Sequence, residues 1–294
     1  MTGLLVVSHA KINLTLDISP RREDGYHDID SVVQIIDIAD ELLLAKRRGA
    51  VIEVEVDAPD IPSGASNLVY RACEAFFEST GIRAGARCEL AKRIPAQAGL
   101  GGGSSNAAAA ILGLDQLYGS GLSTQRLTQT AAKVGADVAL FVHGGTVRMR
   151  GRGESVEPLP DAPQLDLVIV KPELGVSSAW AYAELDKCGR REVSSASDQM
   201  ERAIRAQDRD AVISGLRNDF DPVVSSSIEA VRAAKLVLIE HGAQAAVLAG
   251  SGSAVFGVYP SRDDAQAAAE KLDQQFARVF VARTLTRCES RRKT

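Results

Sequence analysis

With 294 residues, 45% of them hydrophobic and 24% charged, the chain has the composition of a folded globular protein, long enough for one large domain or two ordinary ones. Thirty-four Lys and Arg against 38 Asp and Glu leave a net charge of -4, which argues against general binding to a nucleic-acid backbone, and 4% aromatic residues leave few platforms for stacked bases. Cys73, Cys88, Cys188 and Cys288 form no CxxC pair, so neither a zinc site nor a disulfide framework is expected. The N-terminal apolar run is short and lacks a basic leader, and no stretch of about 18 apolar residues occurs, so the expectation is a soluble, cytoplasmic protein without a membrane or nucleic-acid partner.

Along the chain, alternating apolar and polar residues predict strands over 12–18, 31–38 and 51–56, and then a helix over 66–80 capped by Ser66. A strand over 87–91 leads into a glycine cluster, followed by an Ala-rich helix over 104–118 that ends at Gly119, and by a helix over 124–134. The apolar run 165–170 ends at Lys171-Pro172 and reads as a buried strand. Helical patterns follow over 178–187, 197–206 and 225–241. Two strand-like runs, AAVLAG and AVFGVY, flank a glycine-serine turn, and a helix and a strand within FARVFVA follow. The last eight residues, RCESRRKT, read as a frayed tail. The class is α+β, divided into residues 1–160 and 161–294.

The segment PAQAGLGGGSSNAAAA, 95–110, has four glycines among the five residues 99–103 and runs directly into a helix. Glycine lets backbone amides crowd around an anion, and a helix N-terminus adds free N–H donors and a positive dipole end, so a phosphate cradle is predicted. It lacks the lysine of a Walker A loop and the third glycine of a dinucleotide fingerprint. Ser104 and Ser105 could cap the helix or reach a phosphate oxygen or Mg²⁺. The second loop, Gly250-Ser251-Gly252-Ser253, fits a hairpin turn or a closure over the same phosphates. Lys11 and Asn13 project to one face of a strand. Asp137 stands alone in the apolar octet GADVALFV, either capping a helix or meeting a cation such as Lys11. No HExxH or GxSxG pattern supports a protease or hydrolase.

In order, AKINL, the 95–110 loop and LAGSGSAVF resemble the three motifs of the GHMP kinase superfamily, and GADVALFV, GVSSAWAY and NDFDPVV extend the resemblance over nearly the whole chain. The element from Arg22 to His27, R-x-DGYH, narrows it to members that use ATP to phosphorylate the 2-hydroxyl of a cytidine-diphosphate-linked methylerythritol. The resemblance implies an N-terminal ribosomal-protein-S5-like domain with a left-handed β-α-β unit and a C-terminal ferredoxin-like domain. It also implies Asp137 as catalytic carboxylate with Lys11 beside it. Pro95, Ala98, Gly99, Leu100, Gly101, Gly102, Gly103, Ser104 and Ser105 would hold ATP, with Asn67 and Lys92 beside the adenine, and Mg²⁺ would accompany it. Asn13 would lie near the polyol, and Tyr26, His27 and Tyr182 would hold the cytosine. Ala96-Gln97-Ala98 departs from the glycine-rich lead-in of many relatives, and Trp180 and Tyr182 are bulkier than some counterparts. A kinase for another alcohol, or a silent nucleotide- or RNA-binding module on the same fold, are the competing readings. The Lys11 and Asp137 pair favours an enzyme.

Overall fold

The computed structural model describes residues 3–188 and 194–291. The alternating N-terminal patterns form two long strands, β1 (Leu4–Ile18) and β2 (Ile29–Arg47), followed by β3 (Ile52–Val56), helix α1 (Leu68–Thr80) and β4 (Gly85–Ala91). Three helices come next, α2 (Gly102–Tyr118), α3 (Thr124–Val134) and α4 (Val138–His143), and then β5 (Thr146–Gly151) and β6 (Ser155–Pro158). β3 and β4 are parallel neighbours joined through α1, and the sheet runs β3-β4-β2-β1, with β5 paired to the first half of β2 and β6 to β5. Helices α1 to α4 cover one face of this sheet around Leu42, Leu44, Phe76, Ile111 and Leu140.

The second half contains β7 (Asp166–Val170), α5 (Ser178–Lys187), α6 (Ala196–Arg205), α7 (Arg209–Ser214), β8 (Arg217–Asn218), α8 (Asp221–Ser227), α9 (Glu229–Glu240), β9 (Ala245–Leu248), β10 (Val255–Tyr259), α10 (Arg262–Leu272), β11 (Val279–Arg283) and α11 (Arg287–Ser290). Its sheet, β11-β7-β10-β9, is antiparallel throughout, the strand order of a ferredoxin-like plait. The two halves interlock. β8 adds to β1 in parallel, Ile36 bridges Thr284, and Ile12 and Leu14 of β1 share one buried core with Leu167, Ile169 and Phe256. Among the described residues no helix is long and apolar enough to cross a membrane.

Three local expectations are corrected. α1 is capped by the Asn67 side chain, which accepts from Val69 N, rather than by Ser66. The helix expected over 225–241 is two helices, because Pro222 starts α8 early and Ile228, with an extended backbone, separates α8 from α9. Part of the C-terminal tail is ordered: Thr286 and Glu289 form a capping box that starts α11, while residues 292–294 lie outside the described residues.

One buried cation ties the halves together. The Arg148 guanidinium on β5 pairs with Asp30 on β2 through two hydrogen bonds of 2.7 and 2.5 Å, and with Asp198 and Glu201 on α6 at 2.6 and 2.8 Å. Hydrogen bonding to Arg148 holds the Asp198 and Glu201 carboxyls below their usual range. Their lowered values stabilise the fold above the ordinary carboxylate range, and that contribution declines as pH falls below this range and is lost as pH passes through the lowered values. Arg148→Met is expected to cost about 3 kcal/mol at neutral pH by denaturant unfolding. The difference from wild type should shrink below about pH 4; a constant difference would contradict this.

Candidate active site

β1 presents the first group of residues. Its register with β2 breaks between His9 and Lys11 and again between Asn13 and Thr15, irregularities that flank Lys11 and Asn13 and re-aim them. Both are buried. Lys11 Nζ donates to Asn13 Oδ1 at 2.7 Å, and Asn13 Nδ2 donates to Ser31 Oγ at 2.8 Å. Burial pushes the Lys11 ammonium below its ordinary range, an effect opposed by the negative charge of Asp137. Lys11 N also donates to Leu100 O at 3.0 Å, which fixes the strand against the glycine loop.

That loop ends at Gly101, the N-cap of α2, whose φ of 73° is open to glycine and which supplies no side-chain cap. A Cβ there would press on Phe141 Cζ at 2.9 Å and on Lys11 Cγ at 3.0 Å. The first N–H groups of α2 therefore meet the adjoining cavity without a competing cap. The cavity, about 380 Å³, is lined by Asn67, Lys92, Pro95, Ala98 and every residue from Gly99 to Ser104. Ser105 is turned away from it: its Oγ donates to His9 O at 2.6 Å, so its hydroxyl neither caps the helix nor reaches this cavity. The Asn67 side chain is engaged with Val69 N and Pro62 O, and Lys92 Nζ pairs with Asp40 and with Asn106 Oδ1. Both residues wall the cavity while their polar groups brace it.

A second cavity, about 420 Å³, lies on the other side of the loop and contains Lys11, Asn13, Asp137 and Tyr182. Gln97, Gly99 and Gly101 line both cavities. Asp137 occupies the N-cap position of α4, yet its side chain makes no capping hydrogen bond, which leaves it facing the same cavity as Lys11. At this cavity Tyr182 stacks on His27, with centroids 5.0 Å apart and planes at 18°, and meets Phe220 edge-on at 4.9 Å. His27 Nδ1 is 2.9 Å from Ser19 O, and Nε2 is 3.2 Å from Asp186 Oδ1. Of Tyr26, His27 and Tyr182 only Tyr182 lines the cavity: His27 is buried against it, and the exposed Tyr26 ring carries Arg152 at 3.7 Å.

The Gly250–Ser253 turn connects β9 and β10, as a hairpin reading requires, and also closes on the first loop. Ser253 N donates to Gln97 O and Ala254 N to Ala98 O, and a Cβ on Gly99 would overlap the Ala249 carbonyl oxygen. Sequence reasoning missed the residues that hold these loops. Asp40 is fully buried and accepts from Lys92 Nζ, Arg93 N, Ile94 N and Asn106 Nδ2. Its signal was readable: Asp40 keeps step with Ile36, Ile38, Leu42 and Leu44, the inward face of β2. Asn218 Nδ2 donates to Leu248 O and Gly250 O, holding the second loop. That pairing across 30 residues leaves no local sequence signal.

Comparisons with known proteins define the family. The sequence matches the GHMP kinases N terminal domain over residues 67–145 and the GHMP kinases C terminal domain over 200–278. A 4-diphosphocytidyl-2-C-methyl-D-erythritol kinase of Moorella thermoacetica is 40% identical over 97% of this chain and 100% of its own. One from Pelotomaculum thermopropionicum is 39% identical over 96% and 98%. A crystal structure of 4-(cytidine 5'-diphospho)-2C-methyl-D-erythritol kinase superposes with a TM-score of 0.80 at 30% identity, covering 95% of this chain and 98% of that one. Homoserine kinase from Cytophaga hutchinsonii, 20% identical with a TM-score of 0.78 and coverage of 97% and 95%, shares the fold. The chain belongs to the GHMP kinase superfamily and, within it, to the 4-diphosphocytidyl-2-C-methyl-D-erythritol kinase family. It is a small-molecule kinase with the S5-like and ferredoxin-like halves of that fold.

Asp40 carries the entry to the glycine loop. Asp40→Ala leaves Lys92 without its counter-charge and two backbone N–H groups without an acceptor, and is expected to cost about 3 to 5 kcal/mol in denaturant unfolding. ATP titration should show weakened binding, and unchanged stability together with unchanged ATP affinity would contradict the role.

Proposed function

We propose that this chain transfers the γ-phosphoryl group of ATP to the 2-hydroxyl of 4-diphosphocytidyl-2-C-methyl-D-erythritol, giving the 2-phosphate and ADP, as a cytoplasmic step of non-mevalonate isoprenoid precursor synthesis. The observation that carries this reading is the pair of cavities joined across Gly99 and Gly101, one against the uncapped α2 N-terminus and the other holding Lys11 and Asp137. The family supplies the substrate, and the unbonded Cys73 and Cys88 thiols, 3.6 Å apart, suit a reducing compartment.

In the proposed complex the triphosphate lies against the amides from Gly99 to Ser104, and Asn67, Lys92, Pro95 and Ala98 shape the nucleotide cavity. The acceptor hydroxyl oxygen attacks the γ-phosphorus, its bond to phosphorus forms as the β,γ-bridging bond breaks, and ADP leaves. Asp137 orients the hydroxyl and accepts its proton. Lys11, poorly solvated and close to Gly101, offsets charge that develops on the transferring group, so alignment and electrostatics carry the acceleration. Asn13 sits beside Lys11 to meet the polyol, and the Tyr182 ring, backed by the His27 ring stacked on it, supplies the surface for cytosine.

Among the described residues no group of three His, Cys, Asp or Glu could hold a metal ion. The Ser104 hydroxyl at the nucleotide cavity is a donor that fits Mg²⁺ carried on ATP, since this ion takes mostly phosphate and water oxygens with one or two from protein. Bound there it would neutralise charge on the β- and γ-oxygens. Asp137→Asn is expected to lower turnover at least about 100-fold while ATP binding persists. Product formation and nucleotide titration measure the two, and near-normal turnover would overturn the assignment.

A further inference from the structure

Of the three residues that line both cavities, Gln97 alone has a side chain, the other two being Gly99 and Gly101. Its backbone φ is 50°, in the left-handed region that glycine enters without strain and a residue with a Cβ does not. A glutamine held there bears a strain that glycine would relieve, which implies that the side chain contributes something in return. Its position is defined on two sides. Gln97 O accepts from Ser253 N at 3.3 Å, and the side chain lies over Gly175, where a Cβ would overlap Oε1 and come within 3.0 Å of Gln97 Cβ. Gly175 belongs to the loop before α5 that also brings Val176, Ser177 and Ser178 to the acceptor cavity. The residue is exposed, so its carboxamide can turn towards a ligand.

Resting on the phosphoryl-transfer reading above, we infer that the Gln97 carboxamide is a further catalytic group: its Nε2 donates to a non-bridging oxygen of the γ-phosphoryl group as that group passes from the nucleotide cavity to the acceptor cavity. A carboxamide suits this position. It donates a directed hydrogen bond to a charged oxygen without adding a charge that would hold the product in place. Gly99 and Gly101 cannot do this except through their backbone, and the Leu100 side chain between them is buried in the core. Gly175 acts as the clearance that lets the glutamine lie where it does.

Steady-state kinetics of the full chain with ATP and the cytidylyl acceptor test the role, with thermal unfolding recorded alongside. Gln97→Met keeps the length and removes the donor; it is expected to lower kcat about 10- to 100-fold with KM for ATP nearly unchanged and no loss of thermal stability. Gln97→Glu, equal in shape but repelling phosphate, should lose more. Gly175→Ala, which pushes on Gln97 without altering it, should lower kcat in the same way, and its effect should vanish in a Gln97→Gly background. Wild-type kcat in Gln97→Met overturns the inference, as does a loss matched by lower stability and by raised KM for both substrates, which packing alone would produce. A wild-type chain that forms no phosphorylated product overturns the underlying functional reading instead, so the two failures are distinguishable.

Discussion

Two backbone hydrogen bonds, from Ser253 N to Gln97 O and from Ala254 N to Ala98 O, seam a loop of the N-terminal half to a hairpin of the C-terminal half. The seam exists because Gly99 has no side chain to collide with the Ala249 carbonyl, and Gly99 itself lines the cavities on both sides of the loop. The supports on both flanks are buried and polar. Asp40 gathers Lys92, two backbone N–H groups and Asn106 below the first loop, while Asn218 clamps the second through the carbonyls of Leu248 and Gly250. Both supports hold loops that carry few side chains of their own, so positioning depends on groups well outside the glycine motifs.

Electrostatics at the site follow from burial. Lys11 is 5% exposed, and its charge is opposed by desolvation and supported by Asp137 from across the cavity. A cation in that state gains much when a phosphoryl group arrives, because the site is already arranged and little solvent has to reorganise. Irregular pairing in β1 is what allows this arrangement. A regular strand would give Lys11 and Asn13 the spacing of an unbroken pleat, whereas the breaks on either side let both side chains meet at the loop.

Much of this was legible in the sequence, for identifiable reasons. The helix over 124–134 and the strand before Lys171 lie where the sequence places them, the strand because a continuous apolar run closed by Lys171-Pro172 suits a strand buried on both faces. The glycine loop announced itself because crowding amides around an anion requires glycine at those positions. Other features depend on contacts that no local pattern carries. Ser105 looks identical to Ser104 in sequence, yet helix geometry turns one towards the cavity and the other towards His9 O. The separation of α8 from α9 follows from the extended backbone at Ile228, which apolar spacing across 225–241 conceals. Tyr26 and His27 are adjacent, and the structure sends one under Arg152 and the other against Tyr182.

A structure of the chain with a non-hydrolysable ATP analogue and the cytidylyl acceptor bound together tests the central claim most directly. The account predicts a triphosphate seated on the amides of Gly99 to Ser104, with its terminal phosphorus about 3 to 3.5 Å from a hydroxyl oxygen that touches Asp137. A triphosphate bound away from those amides, or an acceptor hydroxyl on the far side of the cavity from Asp137, would contradict it.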